Sequence, residues 1–567
     1  MASLPSCVDT LIIGNGPAAL ILSYILHGHI PYYVGGHQDS ILDLKLSKDP
    51  SLLHLTPDLY AHFLSSLRYS TQALPVNTLL DTLVRPNADT EINPKSCIEW
   101  RYEPEKAISH AAIGETAQAG GQWADNPVAA GADVGTLSYA EQLSLPGYTY
   151  ADHLAKGQKQ AQYDFVRPTR SEVADYLKAY PKAVGISDAV YTATRVDGVY
   201  RVQDGFVVGS LGIRCKHLVL ASGIFTVNIP PPSLLAPVAQ LDRAEEPLLV
   251  VGSGFSAADV IISTPPSRKI IHIFRWAPDT RPSPLRGCHH SAYPEYATVY
   301  RQMKSAAIAS HRSPSAKSPL LRRKSNPFFS QRNWATTYEG LPNAEAVEVS
   351  HLDGSSTATV KIRLASGDII TRAVGGLQYV VGRRGSLDFL SPELRAEILT
   401  PTSSMSHLIS GRTLRSKAET SLEVAPSVFI TGSLTGDSLI RHAIGGCVFA
   451  AGRILGAIRP TPFPSASVTP SATVSPSQST SSSASASSDT NSDPSSTPPI
   501  QPEHHEEDQD SSPCPPTNGH SDLHLDRRKL ARALDVADAE NRLWVDSGWW
   551  AGGVGVGVAM GPRISRA

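Results

Sequence analysis

Cysteine is scarce and scattered. The 567 residues hold six (Cys7, Cys97, Cys215, Cys288, Cys447, Cys514), and no two form a CxxC or other close pair. That scatter excludes a disulfide framework, a zinc ribbon and a dithiol redox centre, and it suits a reducing compartment. Charge of one sign is missing as well: the net charge is −2, so no chain-wide basic surface for nucleic acid is expected. Long apolar runs are absent. The most apolar stretch, 11–34, is broken by Gly14, Gly16 and Pro17, short of the ~18 uninterrupted apolar residues of a membrane span. It also starts too early and lacks the basic leader of a signal peptide. A soluble, cytoplasmic chain with no membrane span is the expectation. Neither GxSxG nor HExxH occurs, which leaves hydrolase readings without support. Cys288, His289 and His290 are consecutive and cannot readily converge on one tetrahedral ion, so no metal is expected.

The average composition hides a split. Residues 461–500 contain 28 Ser, Thr or Pro in 40 positions, a composition that buries too little apolar surface to offset chain entropy. Residues 459–520 therefore read as a disordered Ser/Pro-rich linker. Residues 521–567 read as a C-terminal tail with one helix at 523–543. For the glycine-rich end, 549–567, two readings stand: a real tail, or the translated product of a mispredicted exon. Protein partners could engage this tail. Residues 277–333, rich in Arg, Lys, Ser and Pro, read as an irregular surface insertion or a basic cover over an anionic cofactor.

The rest of the chain has a repeated grammar. An apolar run at 8–13 breaks at Gly14-Asn15-Gly16-Pro17, a helical stretch follows at 18–26, and a short strand follows at 30–34. The same order returns as a run at 247–251, a break at Gly252-Ser253-Gly254, a helix at 256–262 and a strand at 269–274. Each break has dinucleotide-fingerprint spacing. The first glycine permits a tight turn, the second lets backbone approach a pyrophosphate, and the third small residue lets helix pack on strand. Gly14, Gly16, Pro17 and Ala19 are thus candidates to hold FAD. Gly252, Gly254, Ser256 and Ala257 are candidates to hold NADPH, with phosphates at helix N-termini. Twenty-three residues beyond the first glycines stand His37 and Arg275. An arginine there suits a 2′-phosphate, hence NADPH, whereas His37 departs from the usual ribose carboxylate. Gly121 and Trp123 in "GGQW" (120–123) can pass close to a flavin, the indole packing on ring or ribityl. Gly432 and Asp437 in "TGSLTGD" (431–437) close a buried strand, the aspartate accepting from ribityl hydroxyls or capping a helix.

With these motifs in place, the chain resembles the oxidative stress-induced growth inhibitor family, within the flavin-containing monooxygenase-like flavoproteins with two dinucleotide sites. The matching stretches are "IIGNGPAALILSYILHGHIPYY" (12–33), "PVNTLLDTLVRPNAD" (75–89), "GGQW", "RPTRSEVADYL" (167–177), "YPEYATVYRQM" (293–303) and "GDSLIRHAIGG" (436–446). The expected fold is α/β, two Rossmann-like domains: an NADPH domain (240–375) inserted into a discontinuous FAD domain (1–235 and 376–458), plus the disordered tail. The resemblance implies a FAD- and NADPH-dependent oxidoreductase. Its reaction would be monooxygenation of an unknown small molecule by O2 through a flavin hydroperoxide. No dedicated catalytic side chain is assigned. The FxGxxxHxxxW fingerprint of several monooxygenases is absent between the glycine motifs. That absence motivates the alternative, a flavin- or nucleotide-binding regulator of oxidative stress and growth with little turnover.

Overall fold

A computed structural model describes residues 3–55, 73–86, 94–157, 166–310, 327–351, 355–399 and 408–456. The expected linker, tail and 523–543 helix lie outside these residues.

β1 (Cys7–Ile13) runs into the helix Pro17–Leu26, and β2 (His29–Tyr33) follows. β3 (Ile98–Tyr102) and β4 (His110–Ile113) come next, and the helix Arg170–Ala183 leads to β5 (Val190–Tyr191). A hairpin of β6 (Val199–Val202) and β7 (Gly205–Val208) continues into β8 (Ile213–Leu220) and β9 (Val227–Asn228). The second repeat supplies β10 (Leu248–Val251), the helix Phe255–Ser263 and β11 (Ile270–Phe274). After the helix Pro294–Ser310 come β12 (Tyr338–Pro342), β13 (Glu345–His351), β14 (Ala358–Arg363), β15 (Ile369–Val374) and β16 (Gly376–Tyr379). β17 (Arg383–Ser386), β18 (Leu408–Ile409), β19 (Glu423–Ala425), β20 (Val428–Ile430) and the helix Ala443–Ile454 complete the described chain.

Two parallel sheets organise these elements. In the first, β20, β8, β1, β4 and β5 lie side by side and parallel, with β19 and the β6–β7 hairpin added antiparallel. Leu11, Ile12 and Ile13 are all buried, as expected for strands covered on both faces. In the second, β12, β11, β10 and β16 are parallel. β10 sends Leu248 and Val250 into one core and Leu249 into another, which follows from the two-residue alternation of a strand. β13, β14 and β15 form a separate antiparallel sheet between β12 and β16. The fold is the α/β class the sequence implied, with two Rossmann-like parallel sheets.

Three expectations need correction. The strand after the first fingerprint, β2, is not part of the parallel sheet. It pairs antiparallel with β3 as a separate ribbon, and β1 is flanked instead by β8 and by β4, the latter about a hundred residues from the glycine turn. Residues 277–333 are not irregular throughout: Pro294–Ser310 is a helix whose Tyr296, Val299, Met303 and Ala307 are buried. Those positions recur at three- and four-residue spacing, the signature of one apolar helix face. β16 pairs with β10, so the chain leaves the second sheet after Tyr379 rather than at residue 375.

Two buried histidines fix strand packing while neutral. In His272, Nε2–H donates to the Gly252 carbonyl at 2.7 Å and Nδ1 accepts from the Tyr338 hydroxyl at 2.8 Å. In His110, Nδ1–H donates to the Ile108 carbonyl and Nε2 accepts from the Ser23 hydroxyl. Burial pushes each down to about 4. The unfolded chain therefore binds more protons between pH 6.5 and 4, and their contribution is complete above pH 6.5 and lost as pH falls towards 4. We expect the unfolding free energy to fall on acidification through this window by up to ~1.4 kcal/mol per pH unit for each histidine. Urea titrations of the wild type and of His272→Asn should differ in that slope by one histidine's share.

Candidate functional site

The candidate site lies where the carboxyl ends of the parallel strands meet helix N-termini. In the first sheet, β1 ends at Gly14, which has φ of +129° and sits so close to the Ala221 carbonyl beyond β8 that a Cβ would strike it. Gly16 then caps the helix Pro17–Leu26. Pro17 takes the first helical position, where a missing N–H costs nothing, and Ala19 is fully buried. A Cβ on Gly16 would meet nothing nearer than Gly121 Cα at 3.9 Å.

The "GGQW" turn is brought onto this helix start. Gly120 N–H donates to the Asn15 carbonyl at 2.8 Å, and a Cβ on Gly121 would lie 3.1 Å from Gly16 Cα. The Asn15 amide also ties down residues 116–118, and Trp123 packs half-buried on the first core. From the far side, Gly432 (φ +62°) approaches Ala18, its Cβ position 2.8 Å from that methyl. Ser433 Oγ accepts from Ile224 N–H at 3.2 Å. Gly14, Gly16, Gly121 and Gly432 thus form one cradle.

Asp437 is not in it. Its carboxylate is 2% exposed and accepts from Leu74 N–H (2.8 Å), Asn77 Nδ2 (2.6 Å) and Arg415 Nη1 (2.6 Å). Burial raises its pKa, with the Arg415 charge opposing. Nor does it cap a helix, because the helix at Ala443 is preceded by His442. The loop after Gly432 makes a further turn at Gly436, a left-handed residue directly before the aspartate.

The second turn repeats the first. Gly252 (φ +156°) would place a Cβ 2.5 Å from the Val380 carbonyl and 3.3 Å from Ala257 Cβ, and Gly254 caps the next helix. Ser256 is 6% exposed. A cavity of about 750 Å³ opens here, lined by Gly252, Ser253, Gly254, Ser256, Arg275 and Arg281 among others. Arg275 follows β11 directly, its N–H donating to Ser253 Oγ at 2.9 Å, and its side chain is exposed. Arg268 faces elsewhere: it donates to the carbonyls of Glu246 and Arg243.

Strand register reveals a residue that counting along the sequence missed. Val251 pairs with Ile273, and Arg275 lies two residues beyond. Ile13 pairs with Ile113, and two residues beyond stands Glu115. The position equivalent to Arg275 in the first sheet is therefore an exposed carboxylate, not His37, whose backbone N–H instead donates to the Tyr33 hydroxyl. A buried run ending in Gly-Glu just before "GGQW" was the available signal. Ser222 Oγ and Thr431 Oγ1, at the ends of β8 and β20, are buried with no hydrogen-bond partner among the described residues. Such orphans call for a polar ligand or water. Among these residues no helix is long and apolar enough to cross a membrane, and no three His, Cys, Asp or Glu gather as a metal site.

Fold and site together define an α/β protein with two dinucleotide-type glycine turns on two parallel sheets. The resemblance read from the sequence is matched by the proteins to which the chain is similar. The chain is 29% identical over 353 residues to the mouse protein "Oxidative stress-induced growth inhibitor 1", covering 54% of this chain and 72% of that one. It is 27% identical over 350 residues to the human "Oxidative stress-induced growth inhibitor 2", covering 52% and 68%. The "Oxidative stress induced growth inhibitor homolog" of Caenorhabditis elegans is 24% identical over 500 residues, 79% of this chain and 94% of that one. Among solved structures, a flavin-containing monooxygenase from Stenotrophomonas maltophilia is similar with a TM-score of 0.42 and 14% identity, covering 80% of this chain and 98% of that one. The bacillithiol disulfide reductase of Staphylococcus aureus is similar with a TM-score of 0.44 and 11% identity, covering 80% and 99%. No protein-family model matches the chain.

Gly14→Ala and Gly252→Ala each combine a left-handed backbone with a carbonyl clash, and each should lower the unfolding free energy by more than ~2 kcal/mol. Gly16→Ala, with open space at its Cβ position, should change it by less than ~1 kcal/mol. Asp437→Ala leaves Arg415 without its buried partner and should cost about 3–5 kcal/mol. Urea denaturation of the three glycine variants and Asp437→Ala checks this ranking.

Proposed function

We propose that the chain is a FAD- and NADPH-dependent oxidoreductase, with monooxygenation of a small molecule by O2 as its reaction. The observation that carries this reading is the opposite charge at one register position of two like turns: Glu115 in the first sheet, Arg275 in the second. An acid there accepts from ribose hydroxyls, and an arginine pairs with a 2′-phosphate. The first cradle suits FAD. Gly16 and Gly121 leave the backbone bare for a pyrophosphate at the helix N-terminus, and the Ser222 and Thr431 hydroxyls have no hydrogen-bond partner among the described residues. The second cavity suits NADPH, with Arg275 and Arg281 as cations at its wall. The FAD domain would comprise 1–235 and the stretch after Tyr379 to 458, with the NADPH domain between. Trp123 and the "GGQW" backbone would flank the flavin.

Bound together, these cofactors supply hydride transfer and oxygen activation. The chain's own part is to place them and exclude water. Helix N-termini at Gly16 and Gly254 hold the phosphates by backbone N–H groups, and Glu115 fixes the ribose. The nearly full burial of Leu11, Ile12 and Ile13 beneath the first turn keeps the floor of the cradle dry.

A second reading is a nucleotide-binding regulator with little turnover. Asp437 favours it, because its carboxylate is engaged internally by Leu74, Asn77 and Arg415.

Purified protein should bind FAD and consume O2 on NADPH addition; protein that binds FAD but consumes no O2 supports the regulator instead. Arg275→Ala should weaken NADPH by more than ~10-fold, equivalent to about 1.4 kcal/mol, while NADH changes little. Equal losses for both nucleotides would remove the 2′-phosphate argument. Glu115→Ala should weaken FAD and leave NADPH unchanged, as read by flavin fluorescence.

A further inference from the structure

Four residues after β16 run from one glycine turn towards the other. The Val380 carbonyl lies under Gly252, and Gly382 lines the second cavity. The next residue, Arg383, extends its Nη1 to Gln122 Oε1 at 3.2 Å and to Asn126 Oδ1 at 3.4 Å, and its guanidinium lies 4.9 Å from the Phe225 ring centroid. Gln122 belongs to the turn whose Gly121 backs onto Gly16. The path from the second fingerprint to the first is therefore Gly252, Val380 to Arg383, Gln122, Gly121, Gly16.

The surroundings hold this path taut. Arg383 pairs with Asn228 between β17 and β9, and Asn228 Nδ2 donates to the Pro127 carbonyl at 2.5 Å. The segment after "GGQW" then leaves the first core, and Val128 is buried in the second. It is fastened there by Tyr293 Oη–H to the Leu137 carbonyl at 2.9 Å and by Arg167, whose Nε donates to the Thr136 carbonyl at 2.6 Å while its Nη2 pairs at 2.6 Å with Glu295 of the helix Pro294–Ser310. Asp259, on the helix that Gly254 caps, interacts electrostatically with Arg383 and accepts from the Tyr296 hydroxyl at 2.8 Å. Burial lifts this carboxyl to about 6 against the pull of Arg383, and burial lowers the Arg383 guanidinium to about 10. Arg170 adds a like charge.

We infer that Arg383 is a positioning residue that makes the two dinucleotide sites interdependent, so that a nucleotide in the second cavity changes the affinity of the first cradle. The inference rests on the two-nucleotide reading above. A half-buried guanidinium here can exchange its side-chain acceptors for water only in part, and hydrogen bonds to a charged group are stronger than neutral ones. When a ligand shifts the Val380–Gly382 backbone, Gln122 and Asn126 must follow or the bonds break. Coupling of this kind is reciprocal: each ligand changes the other's affinity by the same factor.

The test uses the full chain, with FAD affinity read by flavin fluorescence, alone and with saturating NADP+, and NADP+ affinity read with and without FAD. The wild type should show a shared factor of at least ~5. In Arg383→Met the factor should fall below about 2 while each affinity measured alone stays within about threefold. Gln122→Met cuts the same link from the other side and should lose the factor equally, which covers the case in which Arg383→Met does not fold. Arg383→Lys, which keeps the charge without the fork, should be intermediate. A factor that survives in a folded Arg383→Met or Gln122→Met protein overturns the inference. A wild type that binds both nucleotides without mutual effect overturns it and leaves the flavoprotein reading standing. A wild type that binds neither overturns both.

Discussion

Both sheets depend on a backbone contact that only glycine permits. At the end of β1, Gly14 lies against the Ala221 carbonyl; at the end of β10, Gly252 lies against the Val380 carbonyl. Each carbonyl belongs to the chain just beyond a neighbouring parallel strand, so a side chain at either glycine would push turn and strand apart. Because the turns are this tight, the helices at Pro17 and Phe255 begin directly over the sheet edge, with no side chain capping their first turns. Free N–H groups and the positive end of a helix dipole are what a phosphate needs. The cradle, the cavity and the placement of Glu115 and Arg275 all follow from that geometry.

What differs between the two turns is charge. The strands repeat one register, and the residue two beyond the paired isoleucine is acidic in one sheet and basic in the other. Under the proposed reading, one backbone device would thereby acquire two specificities. The polar junction between them, centred on Arg383, Gln122, Asn126 and Asp259, costs desolvation that an apolar interface would not. That cost is consistent with a link that must respond to ligands, whereas the first core, built on Leu11, Ile12, Leu20 and Val219, has no such demand.

Much of this was legible in the sequence because it is local. Glycine spacing, an apolar run and a helical stretch, at 8–26 and at 247–262, suffice to place each turn. The misses were non-local. Strand pairing decides which strand lies beside β1, and an insertion carrying β2 and β3 moved that partner beyond any fixed count, so Glu115 was overlooked and His37 considered. Asp437 shows a related effect: its motif is read from spacing, while after the left-handed Gly436 its carboxylate binds the Leu74 amide, Asn77 and Arg415. The helix Pro294–Ser310 was hidden by the polar residues on its outer face, its buried side being only four or five residues wide. Arg383 carries no motif at all.

The most direct measurement is an anaerobic titration of the FAD-reconstituted protein with NADPH, followed by absorbance of the flavin band. Two functional dinucleotide sites predict stoichiometric bleaching with NADPH, much weaker bleaching with NADH, and recovery of the band on admitting O2. Protein that retains no FAD, or whose bound flavin stays oxidised under excess NADPH, would contradict the account.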